Sequence, residues 1–265
     1  MVSIVKNFFR TAALALCCLS AGVSADALND ILDRGTIRVG VAQFTPWTMK
    51  NEKGELTGFD VDVARKIAAD MGVKVEFVEY EWDKILPSLA EGKVDMVAAG
   101  VAITPKRALQ VEFTNPYSES GVGLAANIEK TRNVKTLAEM NNKDFTIAVV
   151  RDTIAFDVSS SLFKNAEVKV FETSKAAEQA VLDGKAHAYI ASQPVVTYFS
   201  VSNSKKIDLP MNAPLLSYKN GLAVHKGEQS LLNFLNAWIV ARTADKWLPA
   251  STRYWFTSLE WKEAQ

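Results

Sequence analysis

Cysteine is almost missing from this chain. Its 265 residues include two, Cys17 and Cys18, both inside an N-terminal stretch that reads as removable. The remainder therefore offers neither a disulfide framework nor a thiolate metal site, and a chain of about 240 residues buries enough core to fold without either. Histidine is also scarce, with only His187 and His225, so metal-ligand spacing and a Ser-His-Asp order with supporting motifs are both absent, as is a phosphate-binding loop. No cofactor is expected. Charge of either sign is not in excess either: 30 basic residues face 30 acidic ones, with no basic run, which argues against a nucleic-acid partner. Long apolar runs are missing too. The longest candidate, from about Thr11 to Leu19, falls short of the roughly 20 residues a bilayer span requires.

That short run makes sense as an export signal. Lys6 and Arg10 supply a basic beginning, the apolar run follows, and Val23-Ser24-Ala25 forms a small-x-small cleavage site before Asp26. Cleavage after Ala25 leaves 28 basic against 30 acidic residues, a formal charge of −2. Leu16 before Cys17, and Cys17 before Cys18, speak against a lipid anchor. The expected destination is a bacterial periplasm.

What the chain does contain is an alternation of strands and helices. Thr36 to Ala42 alternates as a strand and empties into Gln43-Phe44-Thr45-Pro46-Trp47, where a proline ends the strand and aromatics enter the following loop. Asn51 to Gly54 is a turn. Gly58-Phe59-Asp60 leads into a helix with Val61, Ala64, Ile67, Ala68 and Met71 at helical spacing, closed by Gly72. A strand at Val73 to Tyr80, a helix from Trp82 to Gly92 and a strand at Val94 to Ala99 complete a parallel α/β unit. From Ser118 to Asn127 the rhythm breaks into a glycine-bearing extended segment, read as a crossing into a second lobe. The pattern restarts with strands at Phe145 to Val150, Val168 to Phe171 and Ala186 to Ala191. Between them come helices from Thr153 to about Leu162 and from Lys175 to Asp183, the latter with Ala176, Ala180 and Val181 inward. Gly221 to His225 reads as a strand returning to the first lobe, followed by an amphipathic helix from about Leu231 to Ala241. Trp47 and the late aromatics Trp247, Tyr254, Trp255, Phe256 and Trp261 read as packing. Both lobes carry a helix ending in Gly-Lys that feeds an apolar strand, at Gly92-Lys93 and Gly184-Lys185, so the strand ends Ala99-Gly100 and Ser192-Gln193 are expected to face one another across a cleft.

One stretch stands out chemically. Ala98 to Tyr117 takes an apolar strand through a tight bend into a helix start, with Thr104 as N-cap and Pro105 at the first position. Arg107 then falls in the first turn, where a cation opposes the helix dipole. An anionic ligand explains it, because a guanidinium fork and the free N–H groups of the bend converge on one carboxylate.

Taken together, several motifs resemble the bacterial extracellular solute-binding proteins of the polar-amino-acid class, which serve ABC importers. They are Gly35-Thr-Ile-Arg-Val-Gly40, Gly54-x-x-x-Gly58-Phe-Asp-x-Asp62, Trp82-Asp-x-x-x-Pro87, Gly92-Lys-Val-Asp95, Ile103-Thr-Pro-x-Arg107 and Phe113-Thr-x-Pro-Tyr117. The resemblance implies two α/β lobes, each a mostly parallel sheet flanked by helices, joined by two hinge strands and closing on a ligand. Lobe 1 is expected over residues 26–119 and 214–265, lobe 2 over 120–213. A membrane permease is the implied partner, and the protein is expected to be monomeric. The resemblance further implies that Arg107 holds the ligand's α-carboxylate, that Phe44 and Trp82 flank its side chain, and that the backbone around Gly100 helps hold the amino group.

This chain departs from the family pattern in three places. Arg151-Asp152-Thr153 replaces the usual small-hydroxyl loop, Ala102 stands where a serine or threonine is usual, and Ser192 stands where the family places an acid for the ligand ammonium. Burying an ammonium without a carboxylate costs several kcal/mol, which weighs against an ordinary α-amino acid. Asp152 either supplies the missing charge or caps the helix that follows, and Thr153 offers a backbone donor at that helix start. Two further readings remain open: a dehydratase acting on cyclic carboxylates within the same fold, and a sensory or accessory binding module.

Overall fold

A computed structural model describes residues 26–211, 213–259 and 261. The expected export signal, with Cys17 and Cys18, lies outside the described residues. In chain order the strands are β1 (Thr36–Val41), β2 (Met49–Lys50), β3 (Leu56–Thr57), β4 (Lys74–Glu79), β5 (Met96–Val97), β6 (Glu112–Phe113), β7 (Ser118–Asn127), β8 (Thr146–Val150), β9 (Glu167–Phe171), β10 (Ala188–Ser192), β11 (Ile207–Asp208), β12 (Leu216–Asn220) and β13 (Ala223–Val224). They form a five-stranded sheet in the order β4-β1-β5-β13-β6, a six-stranded sheet in the order β11-β7-β10-β8-β9 with β12 added along β7, and the β2-β3 hairpin. The fold is a two-lobed α/β architecture.

The first sheet is parallel through β4, β1 and β5, as βαβ units require, and β13 joins it antiparallel. Ile37, Val39 and Val41 of β1 are buried against the helix Phe59–Met71, whose Val63, Ala64 and Ile67 are fully buried and whose end is the left-handed Gly72. Asp95 explains one motif. Its carboxylate accepts the N–H of Arg38 and pairs with the guanidinium groups of Arg34 and Arg38, pinning the entry of β5 to β1. In the second sheet β8, β9 and β10 are parallel, and β7 runs antiparallel to β10, β11 and β12.

The chain passes between the sheets twice, and the two passages meet. β12 pairs with the first half of β7, from Leu216 opposite Val122 to Asn220 opposite Ser118. Asn220, fully buried, also bridges to Ala102, and Lys219 pairs with Glu119.

Three local readings need correction. The strand expected at Gly221 to His225 is only Ala223–Val224, and the preceding strand β12 went unread because Leu216-Ser-Tyr-Lys-Asn lacks an apolar alternation. The helix Gln193–Ser202, with Pro194 in its first turn, was also unread. In the helix expected at Lys175 to Asp183, Thr173 caps the chain one residue earlier, giving Ser174–Leu182. Ala177 therefore points inward with Ala180 and Val181, while Ala176 is exposed.

Candidate functional site

Between the two sheets lies a small cavity of about 50 Å³. Strand ends and the loops after them line it, as expected for open α/β sheets. Phe44, Trp82, Gly100, Ala102, Arg107, Thr153 and Ser192 all contribute to the wall, so the cleft brings together every residue proposed from sequence except Asp152.

Arg107 sits in the short helix Pro105–Ala108, whose N-cap Thr104 accepts the Arg107 N–H. Its Nη1 donates to the Ala102 carbonyl at 3.1 Å and its Nη2 to the Asp152 carbonyl at 3.1 Å, and the guanidinium lies 5.4 Å from the Trp82 ring centroid. Among the described residues it has no ion-pair partner. Burial lowers its pKa from the ordinary value, opposed by the fields of Tyr218, Asp157 and Asp152. A half-buried, unpaired cation whose remaining N–H donors face a cavity is built for an anion.

Asp152 plays a different part from either one considered in the sequence. Its side chain is exposed and lines an outer groove, not the cavity. Its backbone, at φ 56°, turns the carbonyl inward to accept from both Arg107 and the Trp82 indole N–H at 3.0 Å. The cap of the following helix is Thr153, whose Oγ1 accepts the Phe156 N–H and donates to the Val150 carbonyl. Thus Asp152 caps nothing, and its carboxylate, whose field reaches Arg107, stands exposed in the outer groove.

Trp47 was assigned to packing and does more. It is 2% exposed, packed between Phe59 and Phe256, yet one face lines the cavity and its Nε1 donates across the cleft to Ser192 Oγ at 3.1 Å. Gly100 fits beneath it: at φ 57° a Cβ there would lie 2.9 Å from the indole. Tyr218 of β12 is a further wall residue the sequence did not signal, with Ser120 and Ser192 near its hydroxyl and its pKa raised by burial. Phe44 and Trp82 meet edge to face at 5.3 Å, forming the aromatic wall.

Supporting layers explain the remaining motifs. The Asn220 side chain donates to the Gly100 carbonyl at 2.6 Å. Asp60 is fully buried beneath Gly100 and accepts from the Tyr117 hydroxyl at 2.6 Å, and burial pushes its pKa up to about 7. The two histidines are remote: His187 accepts the Thr146 N–H while stacked on Phe145, and His225 is exposed.

Comparison with known proteins agrees with this architecture. The family model for bacterial extracellular solute-binding proteins, family 3, matches residues 37–258. The L-cystine-binding protein TcyJ of Escherichia coli K12 is 25% identical over 231 residues, covering 86% of this chain and 85% of its own. A cyclohexadienyl dehydratase of Pseudomonas aeruginosa is 27% identical over 185 residues, covering 67% and 69%. Among solved structures, a protein from Wolinella succinogenes described as a candidate binding component of an ABC transporter, in complex with lysine, superposes with a TM-score of 0.82 at 32% identity, covering 87% of this chain and 99% of that one. From the family match across both lobes, this chain belongs to the bacterial extracellular solute-binding proteins, family 3.

Proposed function

We propose that this protein is the periplasmic solute-binding component of an ABC import system, and that it closes its two lobes on a small carboxylate-bearing solute. Residues 26–119 and 214–265 would form one lobe and 120–213 the other, exported by a signal cleaved after Ala25. The closed monomer would be presented to a membrane permease. The observation that carries this reading is Arg107, an unpaired cation facing a cavity between the sheets. Three hydrogen bonds already cross the cleft there, from Trp47 to Ser192 and from Trp82 and Arg107 to the Asp152 carbonyl. A ligand adds stability to the closed state only through contacts made to both sides at once, and Arg107 beside Thr153 and Ser192 permits that.

Arg107→Ala tests the assignment. Charge-assisted hydrogen bonds contribute on the order of 1.5–3 kcal/mol each, so losing two weakens binding by about two to four orders of magnitude. Calorimetry against a carboxylate that the unsubstituted protein binds should show that loss in a variant whose fold circular dichroism verifies. Unchanged affinity would remove Arg107 from the site.

The Pseudomonas relative supports a second reading, catalysis of a dehydration. A dehydratase needs a general acid within reach of its substrate. The cavity wall holds no Asp, Glu or His among the described residues, which favours binding without turnover. Incubation with prephenate and arogenate should leave both unchanged, and any conversion above the spontaneous rate would favour the enzyme.

A further inference from the structure

We propose that the cleft selects a small carboxylate carrying an α-oxygen, a 2-oxo or 2-hydroxy acid with an apolar side chain, over the corresponding α-amino acid. This rests on the carboxylate reading of Arg107 and extends it to the rest of the ligand. An α-ammonium brings a positive charge and three N–H donors, so it needs acceptors and an acid when buried. Among the described residues the cavity wall supplies no acid. Its wall carries one cation and, among the described residues, no anion, and Asp152 and Asp157 stand in the outer groove on the far side of Arg107.

Three backbone carbonyls around the cavity already hold a donor. The Gly100 carbonyl accepts from Asn220, the Ala102 carbonyl from Arg107, and the Asp152 carbonyl from Trp82 and Arg107. Ser192 is decided by Trp47. An indole N–H can only donate, so Ser192 Oγ accepts from it and its own proton is directed onward, toward Tyr218 or a ligand. With Arg107 and the open start of the helix Ile154–Leu162 as further donors, the wall matches an oxygen beside the carboxylate. Phe44, Trp82, Val150, Ile154 and Ile190 supply an apolar surface for the side chain.

The experiment is calorimetry on the protein with its ligand site emptied by unfolding and refolding, using sets matched in side chain: pyruvate, L-lactate and L-alanine; 4-methyl-2-oxopentanoate, its L-2-hydroxy analogue and L-leucine; phenylpyruvate, L-phenyllactate and L-phenylalanine. In at least one set the oxo or hydroxy acid should bind at least 100-fold more tightly than the amino acid, and Arg107→Ala should abolish that binding. Ser192→Asp should reverse the order, with circular dichroism verifying its fold; the comparison on the unsubstituted protein stands whether or not that variant folds. An amino acid binding as tightly as its oxo and hydroxy partners, with dependence on Arg107, overturns this selectivity and leaves the carboxylate reading intact. Binding by no member of any set overturns both.

Discussion

Gly100→Ala probes how tightly the cavity floor is built. Gly100 sits at φ 57°, and an added Cβ would lie 2.9 Å from Trp47 Cδ2 and 3.0 Å from Cε3. The left-handed conformation costs a non-glycine residue about 1–2 kcal/mol. The clash adds about 1–3 kcal/mol, because the indole is backed by Phe256 at 4.5 Å and Phe59 at 5.7 Å and has little room to retreat. The sum is about 2–5 kcal/mol, or a melting temperature lower by about 5–15 °C for a chain of this size. Gly92→Ala is the control. Gly92 has φ 70° but nothing within 4 Å of the added carbon, so only the conformational part applies. Thermal unfolding followed by circular dichroism compares the two, and Trp47→Ala combined with Gly100→Ala should cost less than the sum of the single changes. Equal losses for Gly100→Ala and Gly92→Ala, or strict additivity in the double variant, would refute the close seating of the indole.

Other expectations follow from the same geometry. Asn220→Ala leaves the Gly100 carbonyl without its donor, so unfolding free energy should fall by about 1–3 kcal/mol in a denaturant titration. Asp60 has a folded pKa of about 7 against an ordinary 3.8. Its neutral form is the one the fold favours, so its contribution is full below about pH 4 and is lost as the pH rises through about 7. Asp60→Asn should flatten that part of the melting-temperature profile, and an unchanged slope would assign it to other groups. Trp47→Phe combined with Trp82→Phe removes two of the three cross-cleft hydrogen bonds, so small-angle scattering of the ligand-free protein should give a larger radius of gyration than the parent.

Much of this was legible in the sequence because local rules and tertiary structure agreed. The parallel strands β1, β4 and β5 followed from apolar alternation and the glycine-ended helices between them, and Arg107 was conspicuous because its position opposed the helix dipole. What escaped depended on contacts distant in sequence. Trp47 looked like core because a buried indole usually is; its second role needs Ser192, 145 residues later. Tyr218 lies on a strand whose polar composition carries no period, and it is held by pairing with β7. Asp152 misled because residue type was read as side-chain chemistry. A left-handed backbone there turns the carbonyl inward and the carboxylate outward, which no side-chain rule anticipates.

The packing of Phe256 against Trp47 bears on when the protein becomes competent. Trp47 is made early, yet its support comes from the turn of helix at Tyr254–Ser258, more than two hundred residues later. During synthesis the loop that will carry the indole therefore waits, without its backing, until nearly the whole chain has emerged. A chain lacking that turn would leave Trp47 with Phe59 but without the Phe256 ring. A product truncated before those residues would therefore seat the indole, and with it the cleft wall, less firmly.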